Sequence, residues 1–256
     1  MANKPRSAEM QPGPGFRVRY NFPRLDQSLM DQFRDFDTPT ISDLLNRMYA
    51  LDPGIRCLTG PDHRLSGPVC TVKLFPGDNL MVHKVLDVAQ PGDVVVVDSR
   101  GSTNNAVLGD LISTKARHRK IAGFVIDGLV RDLPDIRKLG DFPVFARGAT
   151  SIGPLHRGPG EINYPICCGG TVVFPGDVIV ADAAGIVIVP QNIAEEALDR
   201  LKNHRDTNAA YLASVQRGDF SNQWVDAILQ EHGCPMIHEE SYALRNSAPR
   251  LQHAET

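Results

Sequence analysis

Seven short β-rich runs, separated by helical stretches, constrain this chain more than any other feature. They are Gly67–Leu74, Val94–Asp98, Ile121–Asp127, Phe142–Arg147, Gly170–Phe174, Val178–Asp182 and Gly185–Val189. Helical spacing of apolar residues marks Leu80–Ala89, about Ala106–Arg117 and about Pro134–Leu139. Strand and helix in alternation predict an α/β layer architecture. Upstream, Leu25, Leu29, Phe33 and Phe36 recur at helical spacing. Thr38-Pro39 then reads as an N-cap followed by proline in the first turn, opening a helix with Ile41, Leu44, Leu45 and Met48 on one face. Ile193–Arg217 reads as one long helix, with Ile193, Ala197, Leu201, Leu212 and Val215 on one side and Gly218 closing it. A short helix around Trp224–Leu229 follows.

One segment is nearly repeated. Pro91-Gly-Asp-Val-Val-Val-Val-Asp-Ser-Arg-Gly101 matches Pro175-Gly-Asp-Val-Ile-Val-Ala-Asp-Ala-Ala-Gly185. Each copy is a tight turn, a buried strand and a second turn, so two related β-units are expected in one domain. Pro76-Gly-Asp78 repeats the turn alone.

Composition narrows the function. Among 256 residues, 27 Lys+Arg face 30 Asp+Glu, a net charge of −3. That balance excludes a chain whose main task is to neutralise nucleic-acid phosphates. No apolar run approaches the ~20 residues of a membrane span. The first residues lack the apolar core of a signal peptide, so a cytoplasmic protein is expected. Five cysteines include the neighbours Cys167 and Cys168 and show no zinc-like spacing. A strand would point those two to opposite faces, which makes them ordinary thiols.

The chemistry concentrates in GDLISTKARHRKIAGFVIDGLVRD, Gly109 to Asp132. A helix starting at Gly109 would offer the free N–H groups of Asp110, Leu111 and Ile112 to an anion such as a carboxylate. A strand Ile121–Asp127, broken by Gly128, would leave Arg131 and Asp132 at its carboxyl end, where open α/β sheets bind ligands. Two nearby acids suit a hard divalent cation, and a guanidinium suits a carboxylate or enolate oxygen. The same two residues also read as a surface turn with a salt bridge. His83 reads most simply as a half-buried helix histidine, and His118 as part of a solvated helix end. No nicotinamide-type glycine loop, Walker loop or nucleophile elbow is present.

From Thr38 to Gly218 the chain resembles the family of class II pyruvate aldolases for 4-hydroxy-4-methyl-2-oxoglutarate and 4-carboxy-4-hydroxy-2-oxoadipate, which also contains the regulator of ribonuclease activity A. The segments PGDVVVVD, GFVIDGLVRD, FPVFARG and GGTVVFPGDVIVADAAGIVIVP carry the likeness. The aldolases place an aspartate twenty residues before Arg-Asp, as Asp110 stands before Arg131-Asp132; the regulators lack that first aspartate. The resemblance implies a single swivelling β/β/α domain, a layered sheet core flanked by helices, with a long C-terminal helix. Residues 1–20 would form a flexible arm, 21–237 the domain and 238–256 a polar tail.

It further implies roles. Asp132 would ligate Mg²⁺ or Mn²⁺, and Asp110 would hold the metal through water. Arg131 would bind the 2-oxo acid and stabilise its enolate. Gly109 and the amides of Leu111 and Ile112 would seat the carboxylate. The implied reaction is retro-aldol cleavage to pyruvate, with oxaloacetate decarboxylation as a side activity. A homotrimer or homohexamer is implied, with no nucleic-acid or membrane partner. The family takes a further acid from a neighbour's long helix, near position 208. Here that position is Asn208, with Asp206 the nearest acid. A non-catalytic regulator, and another metal-dependent lyase or decarboxylase on the same site, remain alternatives.

Overall fold

The computed structural model describes residues 9–236, and they fall into two units divided after Asp206. In chain order the first unit contains β1 (Phe16–Val18), α1 (Gln27–Gln32), α2 (Thr38–Leu44), β2 (Arg56–Cys57), β3 (Leu65–Leu74), α3 (Leu80–Val85), β4 (Val94–Asp98), β5 (Ala106–Leu108) and α4 (Asp110–His118). There follow β6 (Gly123–Val130), α5 (Leu133–Arg137), β7 (Val144–Ala149), β8 (Gly160–Ile162), β9 (Ile166–Cys168), β10 (Thr171–Val173), β11 (Val178–Ala181), β12 (Ile186–Val189) and the start of α6 (Ala194–Gln216).

Strands β3, β4, β6 and β7 run parallel as neighbours. Strand β3 is long enough to serve two partners on one edge. Its first half pairs antiparallel with β11, and its second half pairs antiparallel with β8. The layers follow from alternation along the buried strands. Val95 and Val97 of β4, with Phe124 and Ile126 of β6, pack under α3, α4 and α5 through Val82, Val85, Ile112, Ala116 and Ile136. Val94, Val96 and Val125 face the other way, onto Ile179, Ala181, Ile186 and Ile188 of the β11–β12 hairpin. The hairpin's outer face, Val178, Val180, Val187 and Val189, is covered by Phe33, Ile41, Ala197, Leu198 and Leu201. A strand buried on both faces needs no polar alternation. The run Val94–Val97 therefore reads as continuous valine, and all four side chains are fully buried. This is the layered α/β fold the sequence predicts, with the carboxyl ends of β5 and β6 positioning the site.

The Pro-Gly-Asp turns share one construction. Gly77, Gly92 and Gly176 have φ near +90°, which favours glycine. The aspartate that follows is buried each time. Asp93 accepts N–H bonds from Gln90 and from both sides of the Arg24 guanidinium fork. Asp177 accepts from the Phe174 and Gln191 amides. The repeat thus builds two related units, although β4 lies parallel to β3 and β11 antiparallel to it.

Several expectations are corrected. Phe16–Val18, read as part of a flexible arm, forms β1 against β8, and Arg17 Nε lies 2.6 Å from Glu161 Oε1. Ala106–Leu108, read as helical, is strand β5 because it pairs with the end of β6. Gly128 does not break β6. The strand shifts register between Ile126 and Leu129 and continues to Val130. A Cβ at Gly128 would press on Val107 at 3.3 Å and on Ser99 at 3.2 Å, so glycine lets β5 approach. Asp37, not Thr38, caps α2 by accepting the Thr40 N–H. Thr38 instead donates both its N–H and its hydroxyl to Asp182. The expectation for the vicinal cysteines holds: Cys167 is exposed and Cys168 buried, on opposite faces of β9, and both are free.

The second unit is helical among its described residues. It holds the end of α6 and α7 (Gln223–Glu231). Gly218, at φ +76°, closes α6 as predicted. Ala197 and Leu201 of the long helix are buried, whereas Tyr211, Leu212 and Val215 are exposed. The polar tail from residue 238 lies outside the described residues. No helix of the described chain is long and apolar enough to cross a membrane.

Candidate active site

Strands β5 and β6 end side by side, with Leu108 in register with Val130. The Arg131 N–H donates to the Leu108 carbonyl at 2.9 Å, which fixes Gly109 next to Arg131. Gly109 then starts α4 with no side chain capping it. Its φ of −139° suits any residue, so conformation does not demand glycine here. Space does. A Cβ on Gly109 would lie 3.0 Å from Arg131 Cγ and 3.2 Å from Arg131 Nε, and closer still to Asp132 Oδ2. The missing side chain brings the helix start, the guanidinium and the carboxylate together.

Arg131 Nε stands 3.1 Å from Asp132 Oδ2, with the two side chains 43% and 36% exposed. A pair this open contributes little to stability, ~0–1 kcal/mol. Its use lies in orientation. The guanidinium lies over Gly153, where a Cβ would approach Arg131 Nη1 to 2.8 Å. Asp132 stands at the N-cap position of α5 with φ +53° and no capping bond from its side chain, a conformation uncommon outside glycine, asparagine and aspartate. Asp110 is the first residue of α4, where its charge meets the positive end of the helix dipole.

A pocket of about 180 Å³ opens here. Its lining brings together Gly109, Asp110, Leu111, Ile112 and Arg131, five of the six residues singled out in the sequence. Asp132 does not line it but abuts it through Gly109. The remaining wall is Leu108, Asn79, His83, Pro154 and His156. His83, expected to be half-buried, is exposed at the rim. Desolvation, then the nearby His156 and Lys115, hold its pKa below the usual imidazole value. Asn79 and His156 escaped the sequence reading. Only the turn Gly77-Asp78-Asn79 hinted at the first, and His156 reaches the pocket from 77 residues away.

Among the described residues, no group of three His, Cys, Asp or Glu side chains gathers to hold a metal. Two carboxylates at the mouth of an anion cradle still fit a hard cation, because Mg²⁺ keeps several waters and takes only one or two carboxylates plus substrate oxygens. The Asn208 side chain is exposed in the second unit, and the Asp206 side chain lies outside the described residues.

These features define a mixed α/β protein with a small pocket at the carboxyl edge of its sheet, between an uncapped helix start and an arginine. The family model for RraA-like proteins (Aldolase/RraA) matches residues 38–188, and the chain belongs to that family. It is 40% identical over 179 residues to a Halalkalibacterium halodurans protein named "Putative 4-hydroxy-4-methyl-2-oxoglutarate aldolase", covering 70% of this chain and 84% of that one. Among solved structures it resembles RraAS2 of Streptomyces coelicolor, described as an unusual member of the RNase ES inhibitor RraA protein family. The TM-score there is 0.68 and the identity 28%, over 75% of this chain and 98% of that one. The Thermus thermophilis RNA-processing inhibitor RraA matches with a TM-score of 0.56 and 33% identity, over 61% and 93% of the two chains.

Proposed function

We propose that this chain is a metal-dependent carbon–carbon lyase that cleaves a 4-hydroxy-2-oxo acid to pyruvate and a second oxo acid. The observation that carries the reading is the convergence of Gly109, Asp110, Arg131 and the first amides of α4 on one pocket. The names of the aldolase relatives support it. The first-turn N–H groups of α4 would receive the substrate's carboxylate. The Arg131 fork would receive the oxygen at C2, where charge develops. A water held by Asp110 would take the proton of the C4 hydroxyl. The oxygen lone pair then closes the new C4 carbonyl, the C3–C4 bond breaks, and its electron pair becomes the pyruvate enolate. A proton delivered to C3 completes pyruvate.

Asp132 would hold Mg²⁺ or Mn²⁺ directly, and Asp110 would hold it through water. Bound there, the cation would supply Lewis-acid stabilisation of the enolate oxygen. Oxaloacetate decarboxylation reaches the same enolate and is proposed as a side activity. A homotrimer or homohexamer is part of the proposal.

The test is a screen of 4-hydroxy-2-oxo acids with Mg²⁺ or Mn²⁺, reading pyruvate release, repeated in excess chelator. Metal-dependent pyruvate release is the expected result. Full turnover in chelator overturns the metal role. No pyruvate from any substrate, together with tight binding of a ribonuclease, favours a non-catalytic regulator.

A further inference from the structure

We propose that His156 is the proton-transfer residue for C3 of the pyruvyl unit, protonating the enolate in cleavage and removing a C3 proton in reverse. The proposal rests on the lyase reading and completes the step that reading leaves without a donor. Arg131 does not release a proton, and the water held by Asp110 is assigned to the C4 hydroxyl rather than to C3.

The geometry begins with Asn79, which is 2% exposed. Its side-chain NH₂ donates to the Val107 carbonyl at 2.8 Å. Its Oδ1 therefore serves as an acceptor, and it lies 2.6 Å from His156 Nδ1. His156 must place a proton on Nδ1 to make that bond. In the neutral ring Nε2 is then the lone-pair nitrogen. This is the arrangement that orients catalytic histidines: one nitrogen tied to a fixed acceptor, the other free to exchange a proton.

The segment bearing His156 is itself pinned. Leu155 N–H donates to the Gly77 carbonyl at 2.8 Å, and Asn79 N–H donates to the Leu155 carbonyl at 2.9 Å. Arg157 N–H donates to the buried Asp78 carboxylate. Asn105 ties the Gly153 carbonyl at 2.8 Å, directly under the Arg131 guanidinium. One strap thus supports Arg131 and presents His156 to the same pocket. His83 stands edge-on to His156, their ring centroids 5.2 Å apart. The charged or titratable groups that line the pocket with His156 are His83 from α3, Asp110 from α4 and Arg131 after β6; Lys115 of α4 lies near His83, and Asp78 holds the amide of the adjoining Arg157. His83 is held toward its neutral form by desolvation, then by the nearby His156 and Lys115.

The step balances without a further reagent. In cleavage, protonated His156 gives its Nε2 proton to C3 of the enolate as the C2 carbonyl re-forms. In reverse, neutral Nε2 takes a C3 proton from pyruvate, and the C–H electron pair becomes the enolate.

The test is hydrogen–deuterium exchange at the methyl group of pyruvate in D₂O, with the full chain and Mg²⁺, read by proton NMR. The parent should exchange, and its rate should rise with pH through one ionisation. His156→Gln and His156→Ala should each lose ~10²-fold and that pH limb. Added imidazole should restore part of the rate in His156→Ala, which a packing role would not allow. Asn79→Ala, which keeps the imidazole but frees its tautomer, should fall less. Nitrogen NMR of the unliganded chain should show neutral His156 protonated at Nδ1. Exchange within threefold of the parent in both His156 variants overturns the assignment while leaving the lyase reading intact. A loss that imidazole does not relieve assigns His156 to packing and also overturns it. A parent that neither exchanges nor releases pyruvate in the screen overturns both.

Discussion

Gly109→Ala is the sharpest probe of the site, because the change is small and its consequences can be read from geometry. Alanine adopts the observed φ of −139° without strain, so the backbone has no reason to move. The new methyl would lie 3.0 Å from Arg131 Cγ and 3.2 Å from Arg131 Nε, and nearer to Asp132 Oδ2 than any real contact. Non-bonded heavy atoms settle at ~3.5–4.0 Å, so the carboxylate must retreat by about 1 Å and the arginine by about half that. Both side chains are more than a third exposed and can swing into solvent. The cost in stability is therefore about 1 kcal/mol or less. The cost in rate is larger, since a displacement of about 1 Å at a reacting group typically lowers turnover ~10²-fold. Pyruvate release at saturating metal, beside thermal unfolding of the same sample, should show that split. Gly148→Ala is the control, because its new Cβ meets only Leu129 Cδ2, at an ordinary 3.4 Å. Turnover of Gly109→Ala within threefold of the parent, with the fold intact, would refute the claim that glycine is there to admit Arg131 and Asp132.

Four further outcomes are expected. Arg131→Ala should lower aldol cleavage and oxaloacetate decarboxylation alike, by ~10²–10³, and Arg131→Lys should recover little because an ammonium lacks the fork. Asp110→Asn should impair cleavage more than decarboxylation, which needs no hydroxyl deprotonation; equal losses in steady-state kinetics would remove Asp110 from that proton transfer. Burial raises the Asp182 pKa, but the Thr38 hydroxyl and amide, with the Ala184 and Gly185 amides, outweigh it and hold it below the usual carboxylate value. A depressed pKa stabilises the fold above the ordinary carboxylate range, and that contribution disappears as pH falls through the folded value. Asp182→Asn should thus cost about 1–2 kcal/mol near neutrality and converge with the parent in acid-unfolding curves. Finally, Tyr211, Leu212 and Val215 are exposed on the second unit's helix, and Leu212→Glu with Val215→Glu should lower the mass seen by light scattering; a monomeric parent contradicts the proposed assembly.

Local chemistry was enough for part of this molecule. The valine run of β4 announces a strand buried on both faces, and the Pro-Gly-Asp turns announce where strands begin, because each depends on neighbours in sequence. The start of α4 at Gly109 and the standing of Arg131-Asp132 just beyond a strand were legible for the same reason. Other features depend on contacts that no window of sequence contains. Three residues at Ala106 are strand only because β6 offers them an edge, and Gly128 bends rather than breaks β6 because Val107 and Ser99 crowd it. Phe16–Val18 leaves the arm because β8 lies open beside it and Glu161 holds Arg17. His156 has no periodicity or motif of its own. It becomes part of the pocket through a hydrogen bond to Asn79 that spans 77 residues. Periodicity and turn chemistry are written along the chain, whereas the partner of an edge strand or the acceptor of a histidine proton exists only once distant segments have packed.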